Sequence, residues 1–317
     1  MRAATIREQQ IVIEEHSDPE PAAGEVLVRV RAAGLNGGDM MQLRGLYPAP
    51  PGYPQDIPGM ELAGEVLALG AHPAGAERFA VGDRVMAIVG GGAQAELMTV
   101  HERLLMAVPH ELDWPAAGGL PEVFTTAHDA VFVQAELRSG ERLLVHGGAG
   151  GVGTAAIQLA GAAGARVTAT VRHEGLREQV AALGAEAIAP EDFAEHGPFD
   201  VILELVGAPN LAENLKALAT GGRIAVIGVA AGAKGELNLL ALMGKRARIH
   251  GSTLRARSLE EKALNARRVE HEVLPLFETS PPALRVPIAE TFPLERAADA
   301  YEHFAAGGKL GKIVLEI

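Results

Sequence analysis

Hydrophobic and polar positions alternate through the first third of the chain. Val26, Val28 and Val30 alternate with polar or small residues, and apolar runs bounded by glycine cover residues 62–69 and 81–89. A period of two is typical of strands that bury one face. The pattern predicts a β-rich region with few helices.

From about Leu120 the pattern changes to apolar strands that alternate with helical segments. Strands are predicted at residues 142–146, 166–171, 186–189, 200–205 and 223–227. Helices are predicted at residues 152–163, 175–183 and 210–219. Gly164, Gly184 and Gly221 stand where C-terminal helix caps are expected. Strands that alternate with helices in this way predict a parallel sheet built from βαβ units.

After Gly251 the pattern changes again. Ser258 and Glu261 have the spacing of a capping box, which predicts a helix running towards Phe277. A strand near residues 286–289, a helix over 295–305 and a last strand over 312–317 follow. The α/β segment is therefore inserted in a β-rich domain. We predict domain segments at residues 1–118, 119–255 and 256–317, the middle one being the α/β segment.

Length and charge limit the classes of partner. A chain of 317 residues is long enough for two domains, each with its own core. The formal net charge of −12 and the pI near 5.4 disfavour binding to nucleic acid or to an anionic membrane surface. The chain has no cysteine, which excludes disulfides, thiolate zinc sites and a cysteine nucleophile. Because the first residues lack the apolar core of a signal peptide, we expect a cytoplasmic protein.

A glycine motif lies where the first strand of the α/β segment meets its first helix. Gly148, Gly150 and Gly153 form the pattern G-x-G-x-x-G after an apolar strand and at the start of an alanine-rich helix. In such motifs the glycines allow a tight turn, close approach of a pyrophosphate, and close packing of helix on strand. Amides at the helix N-terminus attract the phosphate charge. The motif predicts dinucleotide binding, and a glycine-rich turn without a ligand is the alternative.

The residues after the second strand bear on the choice of dinucleotide. A carboxylate there would accept hydrogen bonds from the ribose of NAD and repel a 2′-phosphate. The strand instead ends in Val171 and Arg172, and Arg172 with nearby Arg177 could pair with a phosphate. We therefore predict NADPH. The alternative for both arginines is a solvated surface charge, and the nearby Glu174 keeps NADH as an alternative cofactor.

Five segments, in order along nearly the whole chain, carry a family resemblance. They are GEVLVRVRAAGLNGGDMMQLRGLYPAPPG, IPGMELAGEV, VGDRVMAIVGGGAQAELMTV, HGGAGGVGTAAIQLA and GKIVLEI. In these segments the chain resembles the zinc-independent quinone oxidoreductases of the medium-chain dehydrogenase/reductase superfamily. It resembles the tumour-suppressor-inducible type more than zeta-crystallin. The resemblance implies a GroES-like, β-rich catalytic domain formed by both chain ends and an inserted Rossmann domain with a doubly wound parallel sheet.

The resemblance also implies which residues lie beside the nicotinamide and the substrate. These are Tyr47, Asn36 and Asp39, with Tyr53 as a weaker candidate. The Tyr47 hydroxyl could donate a hydrogen bond to a carbonyl oxygen that gains charge during hydride transfer. The alternative for Tyr47 is a loop tyrosine that covers apolar surface. The alternative for Asn36 and Asp39 is a role in the turn that follows a strand, which Asn, Gly and Asp all suit.

Cofactor contacts are implied at strand ends and loops. Besides the glycine motif they are Thr126, Gly150, Gly151, Val152, Val206, Gly207, Gly228, Val229, Leu254 and Arg255. For Arg255 a surface charge at a domain boundary is the alternative. The sequence departs from the family at the 2′-phosphate clamp, where Arg172, Leu176 and Ala189 replace a small hydroxyl residue, a lysine and a tyrosine.

Two positions argue against a catalytic metal. In the zinc alcohol dehydrogenases of the same superfamily, a cysteine ligand falls at Asn36 and a histidine ligand at Met60. An amide and a thioether are poor zinc ligands, and the four-cysteine structural lobe is absent too. We predict no metal.

The favoured function is hydride transfer from NADPH to a quinone. Reduction of an enal, enone or enoyl thioester is the alternative within the enzyme class. A non-catalytic, nucleotide-responsive binding protein is the alternative outside it. The resemblance further implies a homodimer, which we expect to form through an apolar edge strand near residues 224–229.

Overall fold

The computed structural model describes residues 1–71, 78–280 and 283–317, and the chain divides into two compact units. The first unit comprises Met1–Thr125, Leu254–Gly307 and Lys312–Ile317. The second unit comprises Thr126–Thr253 and Gly308–Gly311. The domain boundaries predicted after residues 118 and 255 lie close to these divisions.

Strands and α-helices of the described residues are numbered here in chain order. The strands are β1 (Arg2–Arg7), β2 (Gln10–Glu15), β3 (Glu25–Gly34), β4 (Glu61–Leu69), β5 (Arg84–Ile88), β6 (Leu97–His101), β7 (Met106–Ala107), β8 (Arg142–Val145), β9 (Arg166–Thr170), β10 (Ala185–Ile188), β11 (Phe199–Glu204), β12 (Leu218–Val226), β13 (Arg248–Gly251), β14 (Ile288–Pro293) and β15 (Lys312–Glu316). The helices are α1 (Gly37–Leu43), α2 (Trp114–Gly119), α3 (Pro121–His128), α4 (Gly151–Ala162), α5 (Arg177–Ala181), α6 (Leu211–Ala217), α7 (Leu239–Lys245), α8 (Leu259–Glu272) and α9 (Ala297–Ala306).

The first unit is built around a seven-stranded sheet. Its strand order is β14-β15-β3-β4-β5-β7, with β6 also paired to β3, and β1 and β2 form a separate antiparallel ribbon. Val26, Val28 and Val30 on β3 all point into the apolar core, as the alternation predicts. Because β15 pairs with β3, both chain ends contribute to one sheet, as the resemblance implied.

The second unit contains a six-stranded sheet in which every pairing is parallel. Its order is β10-β9-β8-β11-β12-β13. The order reverses between β8 and β11, and right-handed crossovers then place helices on both faces. The predicted doubly wound sheet is thus confirmed. Ligands of such sheets bind at the carboxyl ends of the strands, where the order reverses.

Most predicted elements of the second unit agree with the structure to within a few residues. The helix cap predicted at Gly221 is wrong, because α6 ends at Ala217 and β12 begins at Leu218, so Gly221 lies inside the strand. The helix predicted at residues 175–183 is shorter, because a 3-10 turn at Glu174–Leu176 precedes α5. In the first unit, the capping box at Ser258 begins α8 as predicted: the Ser258 amide donates to Glu261 Oε2 at 3.0 Å, and the Glu261 amide donates to Ser258 Oγ at 3.3 Å.

The prediction that residues near 224–229 form an edge strand is wrong. Those residues lie in β12 and just after it, and β12 pairs with β11 on one side and β13 on the other. The edge strands of the described sheet are β10 and β13, and β13 is the one next to β12. The apolar pattern did not reveal β13, which is short and carries Arg248 and His250. Among the described residues, no helix combines the length and the apolar character that a membrane crossing requires.

Candidate active site

The glycine turn of the second unit is shaped by backbone conformation and by close packing. Gly147 has φ +72°, so the left-handed residue of the turn is this glycine, which comes before the three motif glycines. A Cβ added to Gly148 would lie 2.7 Å from the Cβ of Ala169, and one added to Gly153 would lie 2.4 Å from the Gly147 carbonyl oxygen. Side chains at these positions would push α4 away from β8 and β9.

The start of α4 suits an anionic group. Gly150 is the N-cap, and the amides of Gly151, Val152 and Gly153 form the first turn, where no intrahelical acceptor exists. A Cβ added to Gly150 would meet only the Gly147 carbonyl oxygen, at 3.4 Å, among the described atoms within 4 Å. Amides beside open space, at the positive end of a helix dipole, fit the pyrophosphate of a dinucleotide.

The arginines proposed for the 2′-phosphate follow β9. Arg172 is exposed, and Arg177 is half-buried with its Nε donating to the Val171 carbonyl at 3.3 Å. This bond holds the Arg177 side chain against the end of β9. Glu174, the residue that keeps NADH as an alternative, is exposed between them.

Sequence reasoning missed a buried carboxylate, Glu204, at the end of β11. Its Oε1 accepts hydrogen bonds from the Val206 and Gly207 amides at 2.7 and 2.8 Å, and its Oε2 accepts one from Asn214 Nδ2 at 2.7 Å. Gly207 has φ +121°, which favours glycine. Glu204 therefore fixes the loop that was predicted to contact the cofactor. The signal in the sequence was a charged residue directly after the apolar run Val201–Leu203 of the strand.

His146 extends this network towards the glycine turn. Its Nε2 lies 2.7 Å from Asn214 Oδ1, and its Nδ1 lies 3.2 Å from Thr170 Oγ1. Burial lowers the pKa of His146, although Glu204 and the hydrogen bond to Asn214 act to raise it. The network connects the carboxyl ends of β8, β9 and β11, where the sheet order reverses.

The remaining predicted contacts of the second unit also lie at strand ends or buried positions. A Cβ added to Gly228 would lie 2.4 Å from the Leu205 carbonyl oxygen, so the chain after β12 packs closely against the chain after β11. Val229 is 40% exposed, and Thr126 is buried. Their roles towards a cofactor stay predictions.

In the first unit, Arg255 is buried and organises the loop that carries Tyr47. Its guanidinium donates to the carbonyl of Tyr47 at 2.8 Å, to the carbonyl of Gly90 at 2.7 Å, and to Gln42 Oε1. The guanidinium carbon also lies 4.8 Å from the centre of the Tyr47 ring. The alternative of a surface charge is therefore wrong for Arg255, which lies 4% exposed beside the buried Leu254.

Asn36 lies in a buried cluster with Glu61 and Lys312. Lys312 Nζ donates to Glu61 Oε1 at 2.6 Å, to Asn36 Oδ1 at 2.7 Å and to the Leu35 carbonyl at 2.7 Å. Asn36 Nδ2 donates to Glu61 Oε1 at 2.9 Å and to the Gly34 carbonyl at 3.2 Å. These contacts occupy both amide hydrogens of Asn36 and the three hydrogens of the lysine, so we interpret Asn36 as a positioning residue.

Asp39 is fully buried in the first turn of α1. Its carboxylate accepts hydrogen bonds from the Asn36 amide at 2.8 Å and the Gly59 amide at 3.0 Å. Burial raises the pKa of Asp39 to about 6, against the lowering effect of these two donors and of Lys312 and Arg255. The geometry matches the turn chemistry that was the alternative for this residue, and we interpret Asp39 as a positioning residue too.

Met60, which stands where the zinc alcohol dehydrogenases have a histidine ligand, has a packing role. A Cβ added to Gly38 would lie 2.6 Å from Met60 Sδ and 3.4 Å from the Tyr47 ring, so the thioether packs against the start of α1. Across the described ranges, no group of three or more His, Cys, Asp or Glu side chains is arranged to hold a metal ion.

Comparison with known proteins relates these features to a family. Residues 22–110 match the alcohol dehydrogenase GroES-like domain, and residues 151–267 match the zinc-binding dehydrogenase family. The chain is 31% identical to quinone oxidoreductase of Rattus norvegicus over 310 residues, which cover 94% of this chain and 90% of the relative. It is 32% identical to acryloyl-coenzyme A reductase of Metallosphaera sedula over 346 residues, or 99% of each. The structure of mycobacterial Rv1454c complexed with NADPH matches all of both chains with TM-score 0.89 at 27% identity.

Proposed function

Since this chain belongs to the medium-chain dehydrogenase/reductase family of oxidoreductases, among the relatives of the quinone oxidoreductases, we propose that it transfers hydride from NADPH to a quinone. The observation that carries the proposal is the start of α4, where Gly150 leaves room beside first-turn amides that have no intrahelical acceptor. When bound there, a reduced nicotinamide nucleotide supplies the hydride.

NADPH is favoured over NADH by the end of β9. Arg172 is exposed there, Arg177 is fixed by its bond to the Val171 carbonyl, and the residue that ends the strand is not acidic. An arginine fork binds a phosphate in two-point geometry. The structural relative Rv1454c, complexed with NADPH, supports the same choice.

Tyr47 is the proposed hydrogen-bond donor to the acceptor. Arg255 holds its backbone and stacks on its ring, which limits the positions of the phenol. A phenol so held can stabilise negative charge that develops on a carbonyl oxygen. Quinones need little help from a general acid, since their reduced oxygens carry negative charge readily.

Reduction of an enoyl thioester is the second candidate. It is favoured by the acryloyl-coenzyme A reductase relative, which this chain matches over 99% of both lengths. The chemistry differs, because a proton must then reach carbon rather than oxygen.

The test is nicotinamide oxidation with NADPH and, separately, NADH, using 2-methyl-1,4-naphthoquinone, an enal and an enoyl thioester as acceptors. Arg172→Gln should raise the KM for NADPH about tenfold and leave that for NADH unchanged. Arg166→Gln, at the opposite end of β9, is the matched control and should change neither. Turnover of the thioester alone would support the second candidate. Nucleotide binding without turnover of any acceptor would favour a nucleotide-responsive binding protein.

We also propose a homodimer, formed through the edge strand β13 and the adjoining part of the second unit. Leu240 and Met243 on α7 are 78% and 71% exposed, and β13 has one side unpaired among the described strands. Exposed apolar side chains beside an open sheet edge favour pairing with a second copy. Met243→Glu should shift the mass in light scattering towards the monomer, whereas Val81→Glu, an exposed apolar control, should not. A monomeric wild-type protein would contradict the proposal.

A further inference from the structure

A buried chain of hydrogen bonds joins the two loops of the second unit that are proposed to contact the nucleotide. One loop is the glycine turn after β8 and the other follows β11. A Cβ added to Gly147 would lie 3.8 Å from Val206 Cγ2, so the two loops pack side by side at the carboxyl ends of their strands. The side chains that connect them are between 0% and 3% exposed, and they are Thr170, His146, Asn214 and Glu204. Polar side chains buried this deeply fix the backbone to which they bond.

The direction of each hydrogen bond can be worked out from the carboxylate end of the chain. A carboxylate only accepts, so Asn214 Nδ2, at 2.7 Å from Glu204 Oε2, donates to it. Asn214 then presents its Oδ1 to the imidazole, and an amide oxygen also only accepts. His146 Nε2 lies 2.7 Å from that oxygen and therefore carries a proton.

The other ring nitrogen faces Thr170, beside the glycine turn. Thr170 Oγ1 accepts a hydrogen bond from the Gly147 amide at 3.3 Å and lies 3.2 Å from His146 Nδ1. A hydroxyl that accepts one hydrogen bond still has its own proton to donate, and an unprotonated Nδ1 accepts it. The bonds then run in one direction, from the Gly147 amide to the Glu204 carboxylate, when the imidazole is neutral with its proton on Nε2.

The surroundings of His146 favour this neutral form. Its ring packs almost at right angles against that of Phe193, with the ring centres 4.7 Å apart. Burial lowers the pKa of His146, against the raising effects of the Glu204 charge and of the hydrogen bond to Asn214. A neutral imidazole donates at one nitrogen and accepts at the other, so it can link a donor on one loop to an acceptor beside the other loop.

We propose that His146 is a positioning residue that couples the glycine turn to the loop at Val206 and Gly207, so that the nucleotide meets both loops in one fixed arrangement. The inference rests on the proposed function, since it concerns the same nucleotide, and it assigns roles to Thr170 and Asn214, which no sequence pattern singled out. These two side chains bond to different nitrogens of the imidazole, so the coupling between them runs through the ring. Breaking the chain at either place should loosen both loops, and breaking it at both should add little.

The test is a double-mutant cycle on nucleotide binding with Thr170→Val and Asn214→Leu. In calorimetry, each single variant should weaken NADPH binding about fivefold to tenfold. The double variant should stay within about twofold of the weaker single variant, whereas independent effects would multiply to about 25-fold to 100-fold and would overturn the inference. Thr168→Val is the matched control, because Thr168 is also buried on β9 but bonds to Glu186, and it should leave the Kd unchanged.

The state of the ring can be measured in the wild-type protein without nucleotide. Nitrogen-15 NMR of the histidine rings, with His146→Gln to assign the resonances, should show His146 neutral at pH 7 with its proton on Nε2. A proton on Nδ1 would contradict the direction of the chain and overturn the inference.

Stability separates a positioning role from a merely structural one. Asn214→Leu leaves buried groups without partners and should lower the Tm as well as the affinity. If it does not fold, the ring NMR and the pair Thr170→Val and Thr168→Val still decide, since weaker NADPH binding in Thr170→Val alone supports the inference. A lowered Tm with an unchanged Kd in Thr170→Val would overturn it.

Binding and turnover distinguish this inference from the proposed function. Quinone turnover by the wild type, with an unchanged Kd for NADPH in Thr170→Val and Asn214→Leu, would overturn the inference and leave the proposed function standing. The expected cycle in NADPH binding, without turnover of any acceptor, would overturn the proposed function and leave the inference standing.

Discussion

Replacing Lys312 by methionine should cost a large part of the stability of the first unit. Lys312 is 3% exposed and its ammonium contacts Glu61, which is fully buried, at 2.6 Å. Methionine fills most of the volume of the lysine stem but removes the charge and all three donors. Glu61 Oε1 would then keep only Asn36 Nδ2 as a donor, while Asn36 Oδ1 and the Leu35 carbonyl would lose theirs.

The size of the effect follows from breaking a buried ion pair on one side only. Such a change leaves an uncompensated buried charge and costs about 3–5 kcal/mol. Each acceptor that loses its partner in a buried place costs about 1–3 kcal/mol by itself, but these terms overlap with the first and do not add to it. We therefore expect a loss of about 4 kcal/mol in the free energy of unfolding.

Urea unfolding at pH 7 would measure the loss, followed by the fluorescence of Trp114, the one tryptophan, which belongs to the first unit. The double variant Lys312→Met, Glu61→Gln removes both charges and should recover a large part of the loss. Lys216→Met, an exposed lysine on α6, serves as the control and should change stability by less than about 0.5 kcal/mol. A loss below about 1 kcal/mol for Lys312→Met, or a double variant no more stable than the single one, would refute the reasoning.

Three further predictions follow from other residues. Because the pKa of Asp39 is raised to about 6 in the folded protein from 3.8, its contribution to stability should fall by about 3 kcal/mol as the pH rises from about 4 through about 6. The difference in urea stability between wild type and Asp39→Asn should therefore change over that interval, and parallel pH profiles would contradict it. Glu204→Gln places an amide against the Val206 and Gly207 amides and should weaken NADPH binding in calorimetry about tenfold, whereas an unchanged Kd would show that the loop does not bind the nucleotide. Tyr47→Phe should lower kcat for quinone reduction about tenfold or more with the Kd for NADPH unchanged, and an equal kcat would exclude the tyrosine as the donor.

Local pattern was sufficient to predict the parallel sheet, because its central strands carry apolar runs and because Gly164 and Gly184, both with positive φ, follow α4 and α5. The cap predicted at Gly221 failed, since that glycine lies inside β12. The sixth strand, Arg248–Gly251, escaped prediction, since four residues with an arginine and a histidine carry no period of two. The glycine motif was recognised, but the residue with positive φ proved to be Gly147, because turn geometry depends on the packing of Gly148 and Gly153. Glu204 was missed for a different reason: its donors Val206, Gly207 and Asn214 are near in sequence, but a carboxylate at the end of a strand gives no sign that it is buried.

The candidate site residues could be identified from local sequence, but the residues that hold them in place could not. Tyr47 and Asn36 were identified by resemblance, yet the residues that fix them, Arg255 and Lys312, are distant in sequence and reach them only in the folded unit. An arginine in a mixed stretch such as residues 251–258 has no sequence signature that distinguishes a buried side chain with several acceptors from a surface charge. Burial and partners decide that question, and both are properties of the fold.

The buried polar side chains of the first unit bear on the proposed choice of acceptor, because most of their hydrogen bonds are made within the protein. Asn36 Nδ2 donates its two hydrogens to Glu61 and to the Gly34 carbonyl. Lys312 Nζ donates its three hydrogens to acceptors within the protein. Asp39 is enclosed and already accepts from two amides, which makes it a poor proton donor to a substrate. The proposed chemistry therefore depends on Tyr47, whose phenol can donate a hydrogen bond to oxygen but is a weak acid. Such a donor stabilises a charged oxygen far better than it protonates carbon, which supports the proposal of a quinone acceptor over that of an enoyl thioester.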